Sequence, residues 1–224
     1  MLEHTTSADA AAAAAAAQTL HLRLIIVGAT VDLLRETHLH EATPEAVAHR
    51  LGIAVSTLRE HFPSWDGLVV AALDRWSGQR MDAVTTSVGD VSMVEFLRAI
   101  VVSNVEEAAF VRLIVALMSA AGDPTHPTSA YLRSRYKLFY CRIRRGLEHD
   151  VAVGRAPHAM DPSRGAEQLV ALYEGLQLQA LMRPDLDIVA AFDRAVARME
   201  RGWMERYEVR VGSLMSGVAE AWAI

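Results

Sequence analysis

The 224-residue chain contains one cysteine, Cys141, so no internal disulfide and no cysteine-based zinc site can form, and a reducing compartment is the expected setting. Long apolar runs are missing as well. The longest, Leu24 to Val31, suits a buried helix turn, and no stretch of eighteen apolar residues offers a membrane span. The first ten residues, MLEHTTSADA, are acidic where a signal peptide would be basic, and the reading is a cytoplasmic protein without membrane contact. Clusters of β-branched and aromatic residues are scarce beside Ala, Leu, Glu and Arg, which argues against strands. Residues 1–80 hold no lysine.

Signatures of catalysis are also absent. There is no Gly-x-Ser-x-Gly elbow, no phosphate-binding glycine loop and no dinucleotide fingerprint; the glycines serve as helix punctuation. Nine histidines are present, but none is paired as His-x3-His or His-Glu-x2-His on an expected helix, and His38-x-His40 falls at a helix–loop junction. The adjacent Glu106 and Glu107 would diverge by about 100° on a helix and could not share a substrate atom. No catalytic residue, metal or cofactor is assigned, and the chain is not expected to be an enzyme.

What remains is helical pattern. Ala10 to Ala17 is low complexity and either frays or extends the following helix on propensity alone. The first helix proper is expected over about Thr19–Glu36, with Leu22, Ile26, Ala29 and Leu33 inward. Ser64 caps a long fourth helix running to about Val88, Ser92 and Glu95 form a capping box, and one apolar helix is expected over Val105–Ala121. Helices from Ser129, from Asp161-Pro162 to Met182 and from Asp187 follow, with a short tail helix after Ser213. The expectation is an all-α fold of nine or ten helices: residues 1–18 a low-complexity N-terminal extension, 19–63 a three-helix helix-turn-helix domain, and 64–224 a larger helical bundle.

The stretch ATPEAVAHRLGIAVSTLREHF, residues 42–62, carries the functional signal. Thr43 is an N-cap, Pro44 takes the first helical position, and Gly52 supplies a left-handed stop. A second short helix begins at once, with Ile53, Leu58 and Phe62 inward and Val55, Ser56, Arg59 and Glu60 outward, until Pro63 ends it. This is the plan of a helix-turn-helix, whose second helix enters a DNA groove.

On these residues the sequence resembles the TetR-type (tetracycline-repressor-like) transcriptional regulators, well over residues 25–68 and beyond them mainly in helix layout. The matching positions are Ala29, Leu33-Leu34, Thr43, Val47-Ala48, Gly52, Thr57-Leu58-Arg59-Glu60-His61-Phe62 and Pro63-Ser64-Trp65-Asp66, with LVALYEGLQLQALMRPDLD, residues 169–187, similar to the subunit-pairing helix. The sequence departs from that pattern where the family's phosphate-contacting tyrosine and lysine become Arg59 and Trp65, its helix-1 glycine becomes His38, and its recognition-helix serine and lysine become Ala54 and Val55. Charge departs too, with six arginines against nine acidic residues over residues 1–80, a net of −3.

The resemblance implies a regulator, more often a repressor, that binds a palindromic double-stranded operator as a homodimer and answers to a small, mostly apolar effector. Candidate DNA contacts are Thr43, Val55, Ser56, Thr57, Arg59, His61 and Trp65, with Arg59 as guanine reader and Val55 against a thymine methyl. Candidate effector-lining residues are Trp76, Met81, Phe96, Phe110, Met118, Tyr136, Phe139 and Tyr140, although the same aromatic spacing serves ordinary core. The basic run Arg133, Arg135, Lys137, Arg142, Arg144 and Arg145 lies off that stripe and reads as a solvated face. Candidate dimer residues are Leu169, Leu172, Tyr173, Leu176, Phe192, Val196, Met199 and Trp203, forming a four-helix seam unless both stripes are intramolecular core. The alternative is a small-molecule-binding helical protein of the same fold whose operator binding is weakened or lost.

Overall fold

A computed structural model describes residues 3–204; the expected tail helix after Ser213 lies outside the described residues. These form nine helices and no strand: α1 Glu3–Glu36, α2 Pro44–Leu51, α3 Val55–His61, α4 Trp65–Val88, α5 Met93–Glu106, α6 Ala108–Ala121, α7 Ser129–Ala152, α8 Pro162–Met182 and α9 Ile188–Trp203. The alanine run continues α1 backward to Glu3. By length and composition Asp9–Glu36 could cross a membrane. Its C-terminal half is instead core, with Ile26, Val27, Val31, Leu33 and Leu34 packed with residues of α2, α3 and α4.

The caps anticipated from sequence are formed. Ser64 Oγ accepts from the Gly67 N–H, the Ser92/Glu95 capping box closes in both directions, Asp161 accepts from the Ser163 and Arg164 N–H groups, and Asp187 accepts from the Ala190 N–H. One boundary is displaced, since the helix expected from Val105 starts at Ala108. The chain breaks at Glu107, which ends α5 and begins α6 with φ −119° and ψ 57°. Its carboxylate accepts a hydrogen bond from Trp76 Nε1 and stands 3.9 Å from Arg80 Nε.

Two apolar cores result. The first gathers α1, α2 and α3 around Leu68, Val69, Ala72, Leu73 and Trp76 of α4, and also takes in Phe110, Leu113 and Leu117 of α6 and Leu132 of α7. It does not stop at residue 63. The second joins Val84 of α4 to α5, α7, α8 and α9 through Leu97, Val101, Ile143, Leu147, Leu169 and Phe192, among others. α4 therefore has its first half in one core and its last turns in the other.

Candidate DNA-reading helix and ligand cavity

The turn between α2 and α3 is built as its residues require. Thr43 Oγ1 accepts from the Ala46 N–H at 3.1 Å, and Gly52 sits at φ 65°, ψ 29°, a conformation that an L side chain adopts only with strain. Leu58 and Phe62, 1% and 6% exposed, pin α3 from below. Ser56, Arg59 and Glu60 are exposed on its outer side.

Other expected contacts are placed differently. Val55 does not face wholly outward; it is half-buried against the first core, and Trp65 packs there too, because a seven-residue helix laid flat on α1 and α2 leaves only a narrow outer strip. Thr43 is occupied as a cap, Thr57 and His61 are half-buried, and the His61 carbonyl accepts from Arg23.

The arginines of residues 1–80 are all engaged. Arg59 pairs with Glu45 of α2 at 3.3 Å, both side chains well exposed. Arg50 makes a two-pronged pair with Glu36, which raises the Arg50 pKa and lowers that of Glu36. Arg35 lies 3.3 Å from Asp32, Arg75 donates to the Leu24 carbonyl at 2.6 Å, and Arg80 is buried deeper in the molecule.

Below the head, residues of α4, α5, α6, α7 and α8 line a cavity that opens to solvent. Of the eight expected lining residues, Met81, Phe110, Met118, Tyr136 and Phe139 border it. Trp76, Phe96 and Tyr140 do not. Trp76 is fully buried in the first core in an edge-on contact with Phe110, Phe96 is buried in the second beneath Arg142, and Tyr140 Oη reaches the Ser163 carbonyl.

The polar wall was largely missed from sequence. Arg135, expected on a solvated face, borders the cavity, donating to Asp74 at 2.5 Å and to Ser77 Oγ at 2.7 Å. Beside that pair, burial chiefly pushes the Tyr131 phenol up to about 12, with the Asp74 carboxylate adding to the effect. Arg80 donates to Asn104 Oδ1 at 2.5 Å and Ser103 Oγ at 3.0 Å, and lies 4.1 Å over the Phe110 ring. Burial pulls its guanidinium pKa down. Tyr173, Glu174 and Gln177 of α8 complete the wall. A cue was present: on an α8 crowded with leucines, Glu174 and Gln177 lie three residues apart and share a face.

The dimer stripes also need correction. Leu169, Leu176, Phe192, Val196 and Trp203 are buried in the protomer's own second core, and Leu172, Tyr173 and Met199 pack against it, because α7 and α9 flank α8 and absorb its apolar majority. Trp203 is tied further by its indole N–H to Gln168 Oε1 at 2.7 Å. The outward face of α8 is instead Ala171, Gly175, Leu178 and Met182, the last two 49% and 72% exposed.

A short helix-turn-helix head joined through one long helix to a hollow helical body is the fold of the TetR-type transcriptional regulators, and the described chain has it. No family model matches the sequence. Among individual proteins, the chain is 27% identical over 161 residues to the HTH-type transcriptional regulator BetI of Klebsiella pneumoniae (strain 342), covering 70% of this chain and 80% of that one. It superposes on a TetR transcription regulator from Haloarcula marismortui with a TM-score of 0.68 at 17% identity, over 80% of this chain and 96% of the other. On the transcriptional regulator FadR of Bacillus subtilis, in complex with stearoyl-CoA, the TM-score is 0.63 at 13% identity, over 80% and 98%. These proteins are all named as regulators of transcription.

Proposed function

We propose that the protein is a cytoplasmic, ligand-responsive transcriptional regulator, a repressor, that binds a palindromic operator as a homodimer. Residues 19–63 act as the DNA-binding head, and residues 64–224 carry the effector site and the dimer face. One observation carries this reading: α3, anchored by Leu58 and Phe62, presents Ser56 and Arg59 to solvent. One such helix reads few base pairs, so adequate affinity calls for two, held about 34 Å apart in successive major grooves. The outward strip of α8 with Leu178 and Met182 gives a second copy an apolar seat. Kinship of fold with a regulator crystallised with stearoyl-CoA supports the cavity as an effector chamber. α4 links the two functions, since Ser77, Arg80, Met81 and Val84 border the cavity while Leu68 to Trp76 sit under the head. A ligand that prefers one position of α4 biases the spacing of the two heads.

Arg59 has first to exchange Glu45 for a guanine edge or a phosphate. Arg59→Ala is expected to weaken binding to DNA flanking the protein's own gene by about 1–3 kcal/mol, the worth of a good base contact. Mobility shift of both proteins reads this, and unchanged affinity would remove Arg59 from the reading set.

A second reading has its own observation. With the head's arginines all engaged and the first 80 residues at net −3, few phosphates are neutralised, and the chain is then a small-molecule-binding protein of this fold with weakened operator binding. A salt series separates the two. Each phosphate neutralised adds about −0.9 to the slope of log K against log salt, so a steep slope with a bounded protected site supports the regulator, and shallow uniform binding supports the second reading.

A further inference from the structure

We propose that the cavity selects an amphipathic organic monocation, its charged group received by Glu174 among the rings of Tyr136, Phe139 and Tyr173, and its apolar body held by the aliphatic wall. This names the ligand class of the effector site and rests on the reading of the cavity as a sensor.

The charges around the cavity point this way. Three charged side chains line it: Arg80, Arg135 and Glu174. Arg135 is matched by Asp74 at 2.5 Å, and Arg80 stands 3.9 Å from Glu107 while its hydrogen bonds go to Asn104 and Ser103. Glu174 has no ion pair among the described residues, so the wall's unmatched charge is negative. Burial holds the Glu174 carboxyl above the usual carboxylate range, with no cation of the protein opposing the shift; burial also raises the Tyr136 phenol, with the Glu174 charge adding to it. An incoming cation would relieve that desolvated carboxylate.

Two further features suit a cation with an organic body. Phe139 and Tyr173 stand with ring centroids 5.4 Å apart and tilted by 41°, and Tyr136 lines the same chamber, so three aromatic side chains border the space that Glu174 borders. Aromatic faces attract ammonium groups, above all where water is excluded. One turn along α8, Gln177 is 4% exposed, lines the cavity, and has an amide oxygen with no hydrogen-bond partner. Buried acceptors are almost always satisfied, so an orphan facing a chamber calls for a donor or a positive dipole from a ligand. Val84, Ile100, Ile114 and Met118 offer only apolar contact. The competing feature is Arg80 Nε, buried without a hydrogen bond. An anion placed there would compete with Glu107 and share the chamber with Glu174.

Isothermal titration of the full chain with three probes of similar size decides the matter: benzyltrimethylammonium, its neutral near-isostere 2-methyl-1-phenylpropan-2-ol, and the anion 3-phenylpropionate. The cation is expected to bind at least about tenfold more tightly than either, a difference of about 1.4 kcal/mol. Glu174→Gln, with an unchanged circular dichroism spectrum and melting curve, is expected to abolish that preference. Equal binding of cation and alcohol, preference for the anion, no binding of the cation at millimolar concentration, or a preference that survives Glu174→Gln would overturn the proposal. Mobility shift with the wild-type chain and no probe present tests the regulator separately: lost operator binding would sink the regulator alone, and lost cation preference the ligand class alone.

Discussion

Trp76→Ala is expected to lower the unfolding free energy by about 3–5 kcal/mol, the usual cost of deleting a large buried aromatic ring. The indole is fully buried at the joint where α4 passes from beneath the head toward the cavity. One edge meets Phe110 at 5.2 Å between centroids in a T-shaped contact, the Arg35 guanidinium lies 5.0 Å from the ring, and Nε1 donates to the Glu107 carboxylate. Truncation leaves a void at close packing and a half-buried carboxylate short of a donor, two costs that add. Against a typical domain stability of about 5–15 kcal/mol, such a loss is a large fraction of the whole. Urea unfolding should show a lower midpoint with little change in slope, and Trp76→Phe should restore most of the packing term but not the hydrogen bond. A loss below about 1 kcal/mol would mean that α4 is not packed at this joint as described.

Asp150→Ala comes second, with an expected loss of about 2–3 kcal/mol from the stranded backbone donor. Asp150 is 2% exposed near the end of α7, where one carboxylate oxygen accepts from the Met93 N–H at 2.6 Å and the other faces Arg155 Nε at 3.0 Å. It thereby satisfies a backbone donor in the first turn of α5, 57 residues away in sequence. Alanine would leave that backbone donor without its acceptor, while the exposed Arg155 keeps Asp90 at 3.0 Å and its access to water. Asp150→Asn keeps one acceptor and should cost less. Thermal unfolding of the three proteins orders them, and equal melting temperatures would deny the α5–α7 clasp.

Much of this fold was legible because its signals are local. Pro44, Gly52, Ser64, Ser92, Asp161-Pro162 and Asp187 each act within one turn of themselves, so sequence placed the helix ends they control close to where the structure has them. The boundary expected at about Val105 falls instead at Glu107, whose partners, Trp76 and Arg80, are about thirty residues away, with no proline or glycine to mark the break. Leu169, Leu176, Phe192 and Val196 show a different limit. Periodicity reports that a face is apolar, and it cannot say whether the surface covering that face comes from the same copy or another. The cavity shows a third. Met81, Phe110, Met118, Tyr136 and Phe139 were found as apolar residues on inward faces, whereas Arg80 and Arg135 border the chamber because long side chains reach back to Asn104 and Asp74, a geometry that spacing does not encode.

Hydroxyl-radical footprinting of the full-length protein on the DNA flanking its own gene tests most directly whether α3 is carried outward to read a duplex in paired copies. The account predicts two protected patches on one face of the helix, about 34 Å or one turn apart, both weakened together by Arg59→Ala. A single patch, or faint protection spread evenly along the duplex at low salt, would contradict it.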